Sequence, residues 1–301
     1  MRQREPLRGV GKTALGMARI RAHESLREDR LFDDPYAQAF LDAAPGAFTD
    51  EASTKAAAKA GSEAGPAGAG SASSLGGMFA FHGAIRTRFF DDYLLAAADE
   101  CPQVVLLAAG LDTRAFRLAW PERTRLFELD FPEVLGFKNP VLTGRDAVPR
   151  CERTVVPVDL RADWPVALLG AGFDPAVPAV WLAEGLLIYL TFDEAGRLLT
   201  SVGELSAPGS RLSFEYSPVA ESPLLTRATR TPGMDRYTAL WKGGLGEDAP
   251  GRLTGLGWRP RFHELAALAA SYGRPAPHTT VSGFLTAVRQ RTRTPPEAPP
   301  R

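Results

Sequence analysis

The chain is poor in the residues that mark several common functional classes. Its 301 residues include only two cysteines, Cys101 and Cys151. They stand far apart and outside any metal-ligand spacing, so they read as free thiols, and no metal site is expected. Histidine is scarce as well: His23, His82, His263 and His278 are all there are. Charge of one sign is missing too, because 35 Lys and Arg balance 35 Asp and Glu. That balance removes the electrostatic basis for a nucleic-acid or anionic-membrane partner. No apolar run approaches the roughly 18 to 20 residues that span a bilayer. Met1 to Arg30 is dense in Arg and broken by Pro6, Gly9 and Gly11, so it lacks the apolar stretch of a secretion signal. The expectation is a cytoplasmic protein.

What is present suits a large α/β core. At 45% hydrophobic and 23% charged residues, the chain can bury the interior of one large domain or two small ones. Residues Ala43 to Gly77 are dominated by Ala, Gly and Ser. Such a run cannot bury enough apolar surface to offset its ordering entropy, so it reads as a flexible insertion with one short helix around Lys55 to Ala60. The proline-rich tail, residues 291–301, reads as disordered. Elsewhere strand and helix patterns alternate. The candidate strands are Gln103 to Ala109, Arg125 to Asp130, Val155 to Val158, Ala179 to Ala183, Arg211 to Tyr216 and Gly283 to Val288. Helical patterns include Ala84 to Ala98, Thr191 to Leu205 and Glu264 to Tyr272. Near-continuous apolar strands such as Val104 to Leu107 suit a mostly parallel, doubly wound sheet, whose ligands sit at the carboxyl ends of the strands.

The first strand runs into Ala108-Ala109-Gly110-Leu111-Asp112-Thr113-Arg114, where the glycine lets backbone approach a cofactor and Asp112 or Thr113 can cap the next helix. About twenty residues later Asp130 closes the second strand, a spacing that lets an acid accept both hydroxyls of a ribose. Dinucleotide enzymes share that spacing but need Gly-x-Gly-x-x-Gly to seat pyrophosphate. Here one glycine is followed by an aspartate that would repel phosphate. S-adenosyl-L-methionine carries no phosphate and is compatible with an acidic turn. The same residues also suit a tight strand-to-helix turn followed by an ordinary strand-end acid. Asp159 and Glu184 sit at the ends of the third and fourth strands, facing the adenine side and the middle of the same crevice; singly, each also reads as a solvated acid.

Arg86 is set apart by its helical position. At 100° per residue it falls among Ile85, Phe89, Phe90, Tyr93 and Leu94, while Arg88 shares the opposite face with Asp91 and Asp92. An arginine on a buried arc needs an anionic partner, either a cofactor carboxylate or a core acid.

Read together, the segments Thr13-Ala14-Leu15, Arg21 to Ser25, Leu31 to Ala37, Arg86 to Asp91, Ala109 to Arg114, Glu128 to Pro132, Val158 to Leu160 and Ala183 to Leu190 resemble the leucine carboxyl methyltransferase family, especially its actinobacterial small-molecule branch. The resemblance implies a Rossmann-like class I methyltransferase fold in a single domain. Its expected parts are an N-terminal helical cap (residues 1–82, with the insertion at 43–77), a cofactor-binding core (83–216), an inserted cap (217–251) and a C-terminal part of the core (252–290). It implies S-adenosyl-L-methionine as cofactor and S-adenosyl-L-homocysteine as product. The implied roles are Arg86 on the cofactor carboxylate, Gly110 under the methionyl moiety, Asp130 on the ribose, Asp159 and Leu160 at adenine, and Glu184 near the amino group, with Arg21 a weaker carry-over. The chain departs from the family at Ala108, where glycine is usual, and this tightens the expected pocket.

Such enzymes mostly methylate carboxylates, which are ionised at neutral pH and need no general base. Alignment and exclusion of water would then carry catalysis. A hydroxyl acceptor would need a base, for which His23 and His82 are the histidines beside the caps; a non-catalytic S-adenosyl-L-methionine-binding module is the other alternative. Tyr189, Tyr216, Arg236, Tyr237, Trp241 and Lys242 are candidate partners for a small-molecule carboxylate, and the aromatic ones suit a flat polycyclic acid such as a polyketide. The same side chains also serve plain packing.

Overall fold

The computed structural model describes residues 10–47, 74–217, 223–232, 234–276 and 282–291. Two helices, α1 (Val10–Ser25) and α2 (Ala37–Asp42), precede the long helix α3 (Leu75–Ala98). There follow β1 (Gln103–Leu107), α4 (Arg114–Arg117), β2 (Arg125–Asp130), α5 (Pro132–Thr143), β3 (Glu152–Pro157), α6 (Trp164–Gly170) and β4 (Ala179–Ala183). The rest comprises α7 (Phe192–Glu204), β5 (Arg211–Tyr216), α8 (Pro223–Thr229), α9 (Asp235–Thr238), α10 (Ala249–Gly255), β6 (Trp258–Glu264), α11 (Leu265–Ser271) and β7 (Gly283–Arg289).

The strands form one sheet in the order β3-β2-β1-β4-β5-β7-β6. Pairings from β3 through β5 are parallel, and β7 runs antiparallel to both its neighbours. This is the expected Rossmann-like doubly wound sheet, with its order reversing between β1 and β4, where a crevice opens at the carboxyl edge. β1 and β4 are buried at every position because helices cover both faces. Alternate residues feed two cores: Val104 and Leu106 pack with Phe90 and Leu94 of α3, while Val105 and Leu107 pack with Trp181 and with Leu198 of α7. Thr191 starts α7 through a capping box with Glu194.

Several boundaries differ from the sequence reading, most of them by one residue, and one strand is new to it. The first strand stops at Leu107 because Ala108 and Gly110 turn into the left-handed region, at φ 56° and 49°. The third begins at Glu152 rather than Val155, and a sixth strand, Trp258–Glu264, joins the sheet edge. The helix read from Ala84 starts at Leu75, where the Ser74 hydroxyl accepts from the Gly77 N–H at 3.0 Å. The last residues of the Ala/Gly/Ser run are therefore helical. The proposed short helix near Lys55 and the tail beyond Arg291 lie outside the described residues. Both cysteines are free. Among the described residues no helix is long and apolar enough to cross a membrane.

Candidate active site

A cavity of about 720 Å³ opens over the carboxyl ends of β1, β2, β4 and β5 and is roofed by α1 and α3. Its floor is the turn after β1. Asp130, ending β2, faces this turn: its Oδ2 accepts from Gly110 N at 2.5 Å and its Oδ1 from Phe131 N at 2.7 Å. Burial pushes its carboxyl above the usual range despite those two donors. Gly110 is called for by its left-handed backbone, φ 49°, rather than by space, since a Cβ there would be in ordinary contact with that of Ala14 on α1, at 3.6 Å. Asp112 ties off the turn, its Oδ1 accepting from Arg114 N at 2.6 Å. Burial opposes its charged form, but Arg114, Lys138 and Arg117 overcome that and bring the carboxyl down to about 2. Thr113 makes no capping bond; its hydroxyl donates instead to Asp34 at 2.8 Å.

Around this turn runs a nearly dry chain of ion pairs. Arg86 Nη1 donates to Glu215 Oε1 at 2.6 Å, and Arg86 Nε lies 2.8 Å from Glu184 Oε1. Arg114 binds Glu184 at 2.6 Å, Asp91 at 2.6 Å, and Asp112. Arg117 grips both oxygens of Asp91, at 2.6 and 2.7 Å. Glu215 also accepts from Gly185 N at 2.8 Å, and there burial wins, raising its carboxyl. At Glu184 burial is outweighed by Arg114 and Arg86, and the carboxyl is lowered. Arg21 closes the N-terminal side, bonded to Asp34 at 2.7 Å and to the Leu111 carbonyl at 2.6 Å.

The expected cofactor residues Arg21, Arg86, Ala108, Gly110, Asp130, Asp159, Leu160 and Glu184 all line this one cavity. Arg86 and Arg88 fall on different faces as expected, Arg88 pairing with Asp92 at the surface. Asp91 was assigned to the wrong face. It is 4% exposed, because Arg114 and Arg117 both reach it from α4. Asp159 is held bidentate by Arg161 at the cavity rim. Among the acceptor-side candidates, Tyr189, Tyr216, Tyr237 and Trp241 line the cavity, and the Tyr216 hydroxyl donates to the Glu247 carbonyl at 2.5 Å. Lys242 is drawn off to Glu194 at 3.1 Å and does not line it. The side chain of Arg236 and all of His278 lie outside the described residues. His23 and His263 are off the cavity wall, whereas His82 is on it. Glu215 and Arg114 escaped the sequence reading. Glu215 is a strand-end acid of the same kind as Asp130, Asp159 and Glu184, so extending that rule to the fifth strand would have found it.

These residues fit S-adenosylmethionine. Four carboxylates (Glu215, Glu184, Asp112, Asp91) face three guanidiniums (Arg86, Arg114, Arg117) in the ladder, which leaves one negative charge for a ligand whose ammonium, sulfonium and carboxylate sum to one positive. Arg86 Nε is buried without a hydrogen bond, its approach to Glu184 being off-line. An unsatisfied donor beside a cavity suits a ligand carboxylate. Among the described residues no cluster of His, Cys, Asp or Glu could hold a metal ion.

Comparison with known proteins agrees with this geometry. The family model for leucine carboxyl methyltransferase matches residues 14–203. A Frankia alni protein named for S-adenosyl-L-methionine-dependent methyl transfer is 51% identical over 284 residues, covering 94% of this chain and 95% of that protein. A similarly named Streptomyces coelicolor protein is 45% identical, covering 89% of each. In fold, the crystal structure of a methyltransferase-like protein from Thermobifida fusca superposes with a TM-score of 0.53 at 17% identity, covering 88% of this chain and 95% of that one. With its acid-lined turn, its ladder of buried charge and these actinobacterial relatives, the chain belongs to the leucine carboxyl methyltransferase family and is an S-adenosylmethionine-dependent methyltransferase.

Proposed function

We propose that the chain methylates a carboxylate oxygen of a small, largely apolar molecule, with an aromatic polyketide acid as the type of substrate. The observation that carries this is the contrast between the two ends of the cavity. The end over the strand termini is lined by charged groups, most of them paired, whereas Met17, Phe79, Leu224, Leu225, Met234 and Trp241 line the end under the caps. Within one apparent domain, the helices before β1 and those after β5 act as caps over the sheet. Asp130 takes the ribose hydroxyls, Asp159 and Leu160 the adenine edge, Glu184 the ammonium, and Arg86 the methionyl carboxylate. Held by these residues, S-adenosylmethionine would supply an electrophilic methyl group for an acceptor oxygen, with S-adenosylhomocysteine as the co-product. The protein's own part is to hold the acceptor in line and keep water out. A carboxylate acceptor is ionised at neutral pH, so no side chain need take a proton. Tyr189, with Arg236 on α9, is the proposed partner of that carboxylate, and Tyr216 joins them only by releasing the Glu247 carbonyl.

Mass spectrometry of products from a panel of aromatic and peptide acids tests this, with mild base separating esters from ethers. A base-stable methyl ether as the sole product would replace the carboxyl reading by hydroxyl transfer. Calorimetry with adenosylhomocysteine tests the binding roles. Asp130→Ala and Arg86→Ala each lose a charged hydrogen-bond partner and should weaken binding by about 1.5 to 3 kcal/mol, with Arg88→Ala near wild type. A larger effect at Arg88 would refute the assignment of Arg86.

A further inference from the structure

His82 is an unused polar group at the junction of the two halves of the cavity. Along α3, Phe79, His82 and Arg86 all line the cavity, because spacings of three and four place them on one stripe. The stripe passes from the apolar end to the charged end, with His82 between. Opposite, α1 closes tightly: a Cβ on Gly83 would meet Ile20 at 3.0 Å and Met17 at 3.1 Å. From the inserted segment, α8 reaches α3 through Arg227 Nη1 and Met78 Sδ, 3.4 Å apart. The His82 ring touches Phe284 of β7, centroids 6.2 Å apart. Neither ring nitrogen has a hydrogen-bond partner among the described residues, whereas the neighbouring Arg86, Glu184 and Glu215 are all in ion pairs. A partly buried imidazole with both nitrogens uncommitted beside a cavity is a binding group awaiting a ligand.

We propose that His82 receives the methyl-accepting end of the substrate, its imidazole donating one N–H to an oxygen of a planar, largely apolar carboxylic acid. This rests on the carboxyl-methylation reading above. Burial, helped by Arg86 and opposed by Glu184, brings the imidazole down to about 3. So weak a base would not take a proton from a hydroxyl, yet its N–H remains a good donor. No proton moves in the transfer. One carboxylate oxygen forms the new C–O bond to the methyl carbon, the C–S bond breaks with its pair left on sulfur, and the imidazole holds the other oxygen.

The test uses the full chain loaded with adenosylhomocysteine, with 2-naphthoate and 2-naphthol as probes. Calorimetry on wild type should show saturable naphthoate binding, weakened about tenfold or more in His82→Phe and within about threefold of wild type in His82→Gln, which keeps a donor. Affinity for adenosylhomocysteine should stay within about twofold in both variants. In ¹⁵N-histidine spectra, the resonance lost in His82→Gln should stay neutral from about pH 5 to 8 and settle in one tautomer with naphthoate. Wild-type affinity in His82→Phe overturns the proposal. So does a failure of naphthoate to saturate the loaded wild type, or naphthol binding to an imidazole that titrates between about pH 5 and 7. Absence of adenosylhomocysteine binding would instead overturn the methyl-transfer reading beneath it.

Discussion

Replacing Arg114 with methionine should be among the most damaging single changes outside the apolar core. Arg114 is 2% exposed and serves three carboxylates at once. In Arg114→Met, Asp91 keeps both bonds from Arg117, and Glu184 keeps its contact with Arg86. Asp112 keeps only the backbone N–H of residue 114. The ladder goes from one to two excess negative charges in a nearly dry setting. Removing one partner of a buried pair costs about 3 to 5 kcal/mol. At about 2.1 cal/mol/K of unfolding entropy per residue, a chain this long should lose roughly 5 to 8 °C in Tm. The pH dependence identifies the cause. In the wild type the Asp112 carboxyl titrates near 2, below its unfolded value of 3.8. Its stabilisation is therefore present above about pH 4 and is lost only as pH falls through about 2. In the variant, burial of Asp112 is opposed only by Lys138, Arg117 and the backbone N–H of residue 114, so the carboxyl moves up from its wild-type position and contributes less stability above about pH 4. Urea unfolding at pH 7 and pH 3, with unchanged m, should show the deficit narrowing at the lower pH, where Asp112 is becoming protonated in both proteins. A loss below about 1 kcal/mol at pH 7, or a deficit that widens on acidification, would refute the ladder as a structural element.

Two further changes test its surroundings. Ala108 sits at φ 56°, which costs an alanine about 1 to 2 kcal/mol. Ala108→Gly costs about 0.4 to 1 kcal/mol through unfolded-chain entropy, so thermal melts should show a stability gain between about 0 and 1.6 kcal/mol, while β-branched Ala108→Val should lose stability. Lys138 and Glu128 are fully buried and 2.7 Å apart, with Arg153 also on Glu128 at 2.6 Å. Lys138→Met should cost about 3 kcal/mol in urea unfolding; a neutral result would mean that Arg153 alone compensates Glu128.

The elements visible in the sequence were those whose pattern is local. β1 and β4 read as strands because Gln103 to Leu107 and Ala179 to Ala183 are buried throughout, and burial on both faces leaves a continuous apolar run. β6 did not read as a strand because Trp258-Arg259-Pro260-Arg261-Phe262-His263-Glu264 carries a proline and alternates charge. It pairs only with β7, at the edge of the sheet, where proline and charge are tolerated. The first turns of α3 were hidden by Gly76 and Gly77, whose helical cost is met by the Ser74 cap and by contacts of Met78. In the site, Gly110 and Asp130 were visible because a strand-turn-helix fixes their spacing. The contacts of Arg86 with Glu215 and of Arg114 with Asp91 join residues remote in sequence. No local periodicity encodes such pairs. The sequence could show that Arg86 needed an anion, but not that two carboxylates would share it.

That sharing bears on how the two halves of the cavity are coupled. α1 touches both: Ala14 lies over Gly110 in the cofactor turn, and Met17 and Ile20, one to two turns along, press on Gly83 beside His82. Its end is fixed by Arg21, which binds Asp34 and the Leu111 carbonyl, while Asp34 also receives the Thr113 hydroxyl from the turn itself. Sliding α1 would strand a buried guanidinium and a buried carboxylate together, at a cost of several kcal/mol. The position of α1 is therefore set by the cofactor turn, and the acceptor wall formed by Met17 and Ile20 follows from it. Among the described residues the opposite wall has no such tie to the ladder: Leu224 and Leu225 of α8 and Trp241 after α9 reach the cavity from the segment between β5 and β6. On the proposed function, substrate shape would vary through that segment while the geometry of methyl transfer stays anchored to α1, α3 and the strand-end acids.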